Sequence, residues 1–116
     1  MTDPSDCLFC KFVRREIEPV VVGESDLSLA FRDINPQAPT HVLVIPKRHV
    51  ADAAELTAAS AEELADVFAL AAQVAADDGL ANGYRLVFNT GRDAGQEVFH
   101  AHLHLLGARA MTWPPG

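Results

Sequence analysis

The stretch His100-Ala101-His102-Leu103-His104-Leu105-Leu106 alternates imidazoles with small or apolar residues. Side chains alternate faces along a strand, so this pattern puts three histidines on one face and the apolar residues on the other. A lone histidine on a strand is ordinarily a satisfied structural residue. Packing gives no reason for three in register, and as neighbours they would disfavour one another's charged forms. On the residues alone, two chemistries remain open. Neutral imidazoles could bind a catalytic zinc and leave a position for water. Alternatively, one imidazole is a nucleophile, flanked by neighbours that orient it and hold a transferred group.

Immediately upstream lies a polar turn, Gly91-Arg92-Asp93-Ala94-Gly95-Gln96-Glu97-Val98. Its glycines allow backbone N–H groups to face an anion. No Gly-Lys-Ser/Thr follows, so it is not a P-loop. Beside three histidines, the turn favours a phosphate presented to an imidazole.

Further out, residues 98–106 are predicted as the last strand and residues 84–89 as the one before it. Ser60-Ala61-Glu62-Glu63 fits a capping box, with Thr57 as the other candidate cap. Leu64, Val67, Phe68, Ala71, Val74 and Ala75 then form the buried stripe of a long helix, and Gly79 stops it. His41-Val42-Leu43-Val44-Ile45 reads as a central strand covered on both faces and ended by Pro46. Residues 20–22, stopped at Gly23, and residues 27–31 read as two more strands. Residues 7–17 read as a short helix ended before Pro19, and residues 50–56 as a helical turn or two. This order predicts one antiparallel α+β domain over residues 1–116 rather than alternating βαβ units.

Composition narrows the partners. Nine Lys and Arg against sixteen Asp and Glu give the 116-residue chain a net charge of −7. That balance disfavours a nucleic-acid surface. No apolar run reaches the ~18 residues of a membrane helix. The N-terminus Met1-Thr2-Asp3-Pro4-Ser5-Asp6 is acidic and lacks the segments of a secretory signal, so a cytoplasmic location is expected. Cys7 and Cys10, spaced Cys-X2-Cys, cannot build a secreted disulfide framework. They are half of a tetrahedral zinc site, a redox pair, or small buried apolar residues.

Taken together, the chain resembles the histidine triad (HIT) family of nucleotide-binding and hydrolysing proteins. The likeness rests on residues 100–106, on Asp33-Ile34-Asn35-Pro36-Gln37-Ala38-Pro39-Thr40-His41, on Val44-Ile45-Pro46-Lys47-Arg48-His49, and on the tail Trp113-Pro114-Pro115-Gly116. The tail looks like the Hint branch, the nucleoside phosphoramidases.

The resemblance implies a HIT-like antiparallel sheet with two main helices, and two such sheets joined across a homodimer. Phe68, Leu70 and Val74 on the long helix are consistent with that pairing. It also implies that His102 attacks the α-phosphate of a purine nucleotide conjugate, forming a covalent nucleotidyl-histidine that water resolves to a nucleoside monophosphate. In the family, the other nitrogen of this histidine donates to a backbone carbonyl of the same strand. His104 would contact the phosphate oxygens, and His41 would complete the polar site. Phe31, Asp33 and Ile34 match the nucleoside pocket, with Asp33 accepting from ribose hydroxyls. Asn89, Gly95, Gln96, Glu97 and Val98 fall among the phosphate and ribose contacts. Glu97 stands where the phosphoramidase branch commonly carries serine, which bears on the leaving group. Dinucleoside polyphosphate cleavage and non-catalytic nucleotide binding are the alternative functions. Bacterial-type members can bind a structural zinc with a cysteine pair and the first triad histidine, which here implies Cys7, Cys10, His49 and His100. No metal is required for the chemistry itself.

Overall fold

A computed structural model describes residues 4–116; the first part of the acidic N-terminus, residues 1–3, lies outside the described residues. Five strands form one antiparallel sheet: β1 (Val21–Glu24), β2 (Ser28–Arg32), β3 (Thr40–Pro46), β4 (Tyr84–Phe88) and β5 (Leu103–Gly107), in the order β1-β2-β3-β5-β4. With helices α1 (Leu8–Val13), α2 (Ala53–Ala59) and α3 (Ala61–Asp77), this is the α+β class expected from the element order.

Two clusters of buried side chains cover the sheet. One face carries Ala30, Val42, Val44, Leu103 and Leu105, packed against Val67, Leu70, Ala71 and Val74 of α3. The other carries Leu29, Phe31, Leu43 and Ile45, packed against Cys7, Phe9 and Cys10 of the α1 region. Every residue of β3 is buried, as its continuous apolar run requires of a strand covered twice.

Four departures from the sequence expectation shape the scaffold of the site. The first helix ends at Val13 rather than residue 17, because Arg15 takes a left-handed conformation (φ 61°) and the Glu16 amide turns back to the Lys11 carbonyl. The first strand runs through Gly23 rather than stopping there. A Cβ on Gly23 would lie 3.1 Å from Leu70 and 3.2 Å from Val74, so the missing side chain is what lets α3 approach. Ser60 caps α3 through its Oγ, but Glu63 does not reach back to close the box. The Glu63 carboxylate is held instead by the Arg48 guanidinium, at 2.6 to 3.2 Å.

The fourth departure positions the site. The last strand begins at Leu103, not residue 98. Leu103 pairs with Val44 of β3, and continuing that register would set Ala101 opposite Pro46. Proline has no N–H to give, so the ladder stops before it. Residues 98–102 run beyond the sheet, with the Ala101 amide donating to the Val50 carbonyl.

Candidate functional site

The three histidines stay on one side of the sheet even though only His104 lies within β5. His102 and His104 have ring centroids 5.0 Å apart, and His41 on neighbouring β3 sits 5.2 Å from His104. His100 is fully buried, close to the two cysteines and His49. One triad therefore contributes to two adjoining centres.

Fixed backbone groups set the protons on all four rings. The Gln37 N–H donates to His41 Nδ1 at 3.0 Å, so neutral His41 carries its proton on Nε2. That Nε2–H lies 3.0 Å from His104 Nδ1, with the Asp33 carboxylate 3.4 Å away. His104 Nδ1 accepts, which leaves its Nε2–H as a donor for an anion. His102 Nδ1 is 2.8 Å from the carbonyl oxygen of His100 and must donate to it, leaving a lone pair on His102 Nε2. His100 Nε2 donates to the Pro46 carbonyl at 2.8 Å, leaving its Nδ1 lone pair toward the cysteines.

Electrostatics keeps these rings neutral. Burial pushes His104 down to about 4, with the neighbouring His102 and His41 acting in the same direction. Burial also lowers His102, partly offset by its bond to the His100 carbonyl, and lowers His41 against the pull of Asp33. The charged form of an imidazole loses its hydration in such a place. A neutral ring with one free lone pair is a nucleophile; a protonated ring is not.

Cys7, Cys10, His49 and His100 offer four ligand atoms within 4.8 Å of one another. His100 Nδ1 lies 3.5 Å from each sulfur, and His49 Nδ1 lies 3.2 Å from the Cys10 sulfur. Tetrahedral bonds of ~2.3 Å to sulfur and ~2.0 Å to nitrogen put sulfur and nitrogen about 3.5 Å apart. The donor set therefore fits zinc. The carbonyl behind His100 supplies the backing that metal-bound histidines need. Burial, reinforced by Cys7, pushes the Cys10 thiol up to about 11, so a cation is what this pocket needs before it can hold thiolates.

Asp33, His41 and His104 also converge within the same limit. Their protons decide against a metal there. Ligation through His41 Nε2 would displace the proton that Gln37 confines to that nitrogen.

The other expected site residues divide. Asp33 faces His41, and its second oxygen accepts from the Asn35 amide. Ile34 is wholly exposed, whereas Phe31 is buried beneath Phe9 and Phe12 and offers a ligand almost no surface. Val98 packs on that same aromatic cluster. Asn89 and Glu97 make no hydrogen bond to the histidines, and Glu97 is exposed.

The glycine turn differs from the expectation. Gly91 and Gly95 do adopt positive φ, 82° and 81°, but they close the turn on itself. The amides of Gly91, Ala94, Gly95 and Gln96 all bond within it. The buried Gln96 side chain does not face a ligand: its oxygen accepts from the Gly91 amide, and its nitrogen donates to the Ala51 and Val98 carbonyls. Among the described residues, the amides of Glu97 and Val98, like those of Arg92 and Asp93, make none of those bonds.

Two contributors carry no sequence signal, the Gln37 amide and the Pro46 carbonyl, since nearly every residue supplies such groups; the His100 carbonyl is the acceptor that the family resemblance implies. Phe9 reads as routine core, yet it stands edge-on to both His100 and His102, at 5.9 and 5.2 Å.

This fold agrees with known proteins. The HIT domain model matches residues 14–111, and the chain belongs to that family. The crystal structure of a HIT family hydrolase from Legionella pneumophila Philadelphia 1 superposes with a TM-score of 0.91 at 54% identity, covering 96% of this chain and 100% of that one. The purine nucleoside phosphoramidase of Escherichia coli (strain K12) is 45% identical over 107 residues, 91% of this chain and 90% of that protein. The 14 kDa zinc-binding protein of Zea mays is 47% identical over 118 residues, 98% of this chain and 91% of that protein.

Proposed function

We propose that the protein is a nucleotide-binding hydrolase that cleaves purine nucleoside 5′-phosphoramidates, or related nucleotidyl conjugates, through a covalent intermediate on His102. The observation that carries this reading is the 2.8 Å contact between His102 Nδ1 and the His100 carbonyl, which leaves Nε2 as the one unprotonated nitrogen of that ring. The lone pair of Nε2 attacks the α-phosphorus, a P–N bond to histidine forms, and the bond to the leaving amine breaks as the amine takes up a proton. Water then attacks the phosphorus, the histidine bond breaks, and a nucleoside monophosphate leaves. His104 Nε2–H donates to a phosphate oxygen as charge builds there. The Glu97 and Val98 amides, which make none of the turn's internal bonds, would assist. Asp33 accepts from ribose hydroxyls, and exposed Ile34 borders the base. The similarity to the E. coli phosphoramidase supports this choice of leaving group.

Cys7, Cys10, His49 and His100 would hold a structural zinc, which when bound supplies the charge that stabilises two buried thiolates. The similarity to the Zea mays protein supports the metal. A reducing cytoplasm would keep both thiols available. Among the described residues, no helix is long and apolar enough to cross a membrane.

A homodimer would pair the sheets through β4, which has β5 on one side only. Tyr84 and Phe68 are both about 40% exposed there, with Phe68 edge-on to Phe88. Leu70 and Val74 do not share this surface; they are buried against the sheet.

The decisive assay is turnover of an adenosine phosphoramidate by wild type and by His102→Ala. Loss of turnover with an unchanged circular dichroism spectrum supports the nucleophile, and undiminished turnover rules it out. Running diadenosine polyphosphate beside it separates the two leaving-group classes. Nucleotide binding with no turnover on either would favour a binding protein.

A further inference from the structure

We propose that the metal centre is a positioning device for the nucleophile, acting through His100 and Phe9. The inference rests on the reading of His102 as nucleophile and of the Cys/His cluster as a zinc site. It adds that zinc occupancy sets the orientation and tautomer of His102.

The sheet does not hold the group that orients the nucleophile. His102 takes its tautomer from the carbonyl of His100. That carbonyl lies in residues 98–102, ahead of β5, and its own peptide unit is tied outside the sheet by the Ala101 amide, which donates to the Val50 carbonyl. The second hold on this peptide is the His100 side chain. Its Nε2–H is tied to the Pro46 carbonyl at 2.8 Å, and its Nδ1 faces both cysteine sulfurs at 3.5 Å. With zinc on Nδ1, the ring would be held at both nitrogens, which steadies the other end of the peptide that carries the carbonyl. Without zinc, one of the two anchors is a thiol contact, which is weak.

The second connection is Phe9. It lies between the two cysteines in sequence, and its ring stands edge-on to His100 and to His102. α1, which carries Phe9, is only six residues long, and its cysteines are the ligands that would bind it to the sheet. Seating of α1 therefore decides whether the wall beside the His102 ring is in place. The HIT domain match begins at residue 14, after both cysteines, so this anchor is attached from outside the matched region.

The test compares zinc-loaded wild type, chelator-stripped wild type and zinc-loaded Phe9→Leu, which keeps all four ligands. At one fixed pH, nitrogen-15 spectra of the imidazoles report the His102 tautomer. Steady-state kinetics on an adenosine phosphoramidate separate kcat from KM, and circular dichroism reports folding. We expect zinc removal to lower kcat about 10-fold or more, as for loss of metal-site support, with KM changed by less than about 3-fold. His102 should pass from a single Nδ1–H tautomer to a mixture, and zinc should restore it. Phe9→Leu should retain one zinc and shift kcat and tautomer in the same direction. A stripped protein that stays folded with unchanged kcat and tautomer overturns the proposal. If stripping unfolds the chain, Phe9→Leu decides, and unchanged kcat and tautomer in that variant overturn it. Wild type that holds no zinc overturns it too. Zinc-bound wild type without turnover would remove the functional reading alone, because the tautomer comparison still stands.

Discussion

His41 Nε2 lies 3.0 Å from His104 Nδ1, although the two residues are 63 positions apart. The antiparallel pairing of β3 with β5 sets His41 opposite Leu106 and Leu43 opposite His104, which brings the two imidazoles together on a diagonal. With the Gln37 amide on its far side, His41 relays a fixed polarity to His104.

Replacing His41 with Phe should therefore damage catalysis without contacting the substrate. His104 would lose the donor that commits its proton to Nε2, so the phosphate would meet a mixture of tautomers. A loss of kcat/KM of about 10- to 100-fold is expected, the equivalent of one charge-assisted hydrogen bond. His41→Gln, which can still donate, should recover part of it. Kinetics on both variants check this.

The acid limb of activity should lie below the usual histidine range. His104 is held near 4 and His41 is lowered as well, so both remain neutral where an exposed imidazole, near ~6.5, would charge. Stability follows the same sign. The unfolded chain binds protons at these positions first, so their contribution is complete above ~6.5 and is lost as pH falls toward 4. Denaturant melts at stepped pH should show stability flat above ~6.5 and falling beneath it, whereas kcat/KM should hold through ~6.5 and fall only as pH nears 4.

Gln96→Leu should open the glycine turn. The substitution keeps volume but strands the Gly91 amide and the Ala51 carbonyl, each of which uses the buried amide. A cost of about 1–3 kcal/mol per unsatisfied buried group is expected. The turn carries the Glu97 and Val98 amides, so nucleotide affinity should fall as well. Thermal unfolding and nucleotide titration measure the two effects separately.

Cys7→Ser with Cys10→Ser should abolish metal retention and lower stability, because zinc binding and the docking of α1 are one event. Wild type purified without chelator should carry close to one zinc; less than ~0.2 equivalents would exclude the centre at the affinity expected of such sites. Metal analysis and chelator-dependent melting temperatures check this.

Much of the fold is legible in the chain because its signals are local. The continuous apolar run of β3, the stripe of α3, the Ser60 cap and the Gly79 stop all act within a turn or two. Alternation at residues 100–106 is equally local, so the shared side of the three histidines could be read before any partner strand was known. Limits set by distant partners were not legible. The late start of β5 depends on Pro46 across the ladder, and the open half of the capping box depends on Arg48 claiming Glu63.

Element order and periodicity determined the fold class and which rings share a face, and the spacing of Cys and His marked the candidate ligands. Residue type sufficed, because each signal lies in one segment. Only the tertiary structure decided which nitrogen carries the proton on His41, His100 and His104. It also decided that Gln96 braces the turn from within and that Phe9 joins the two centres. Those outcomes depend on backbone amides and carbonyls brought from other segments, and every residue except proline offers the same backbone groups until folding selects among them.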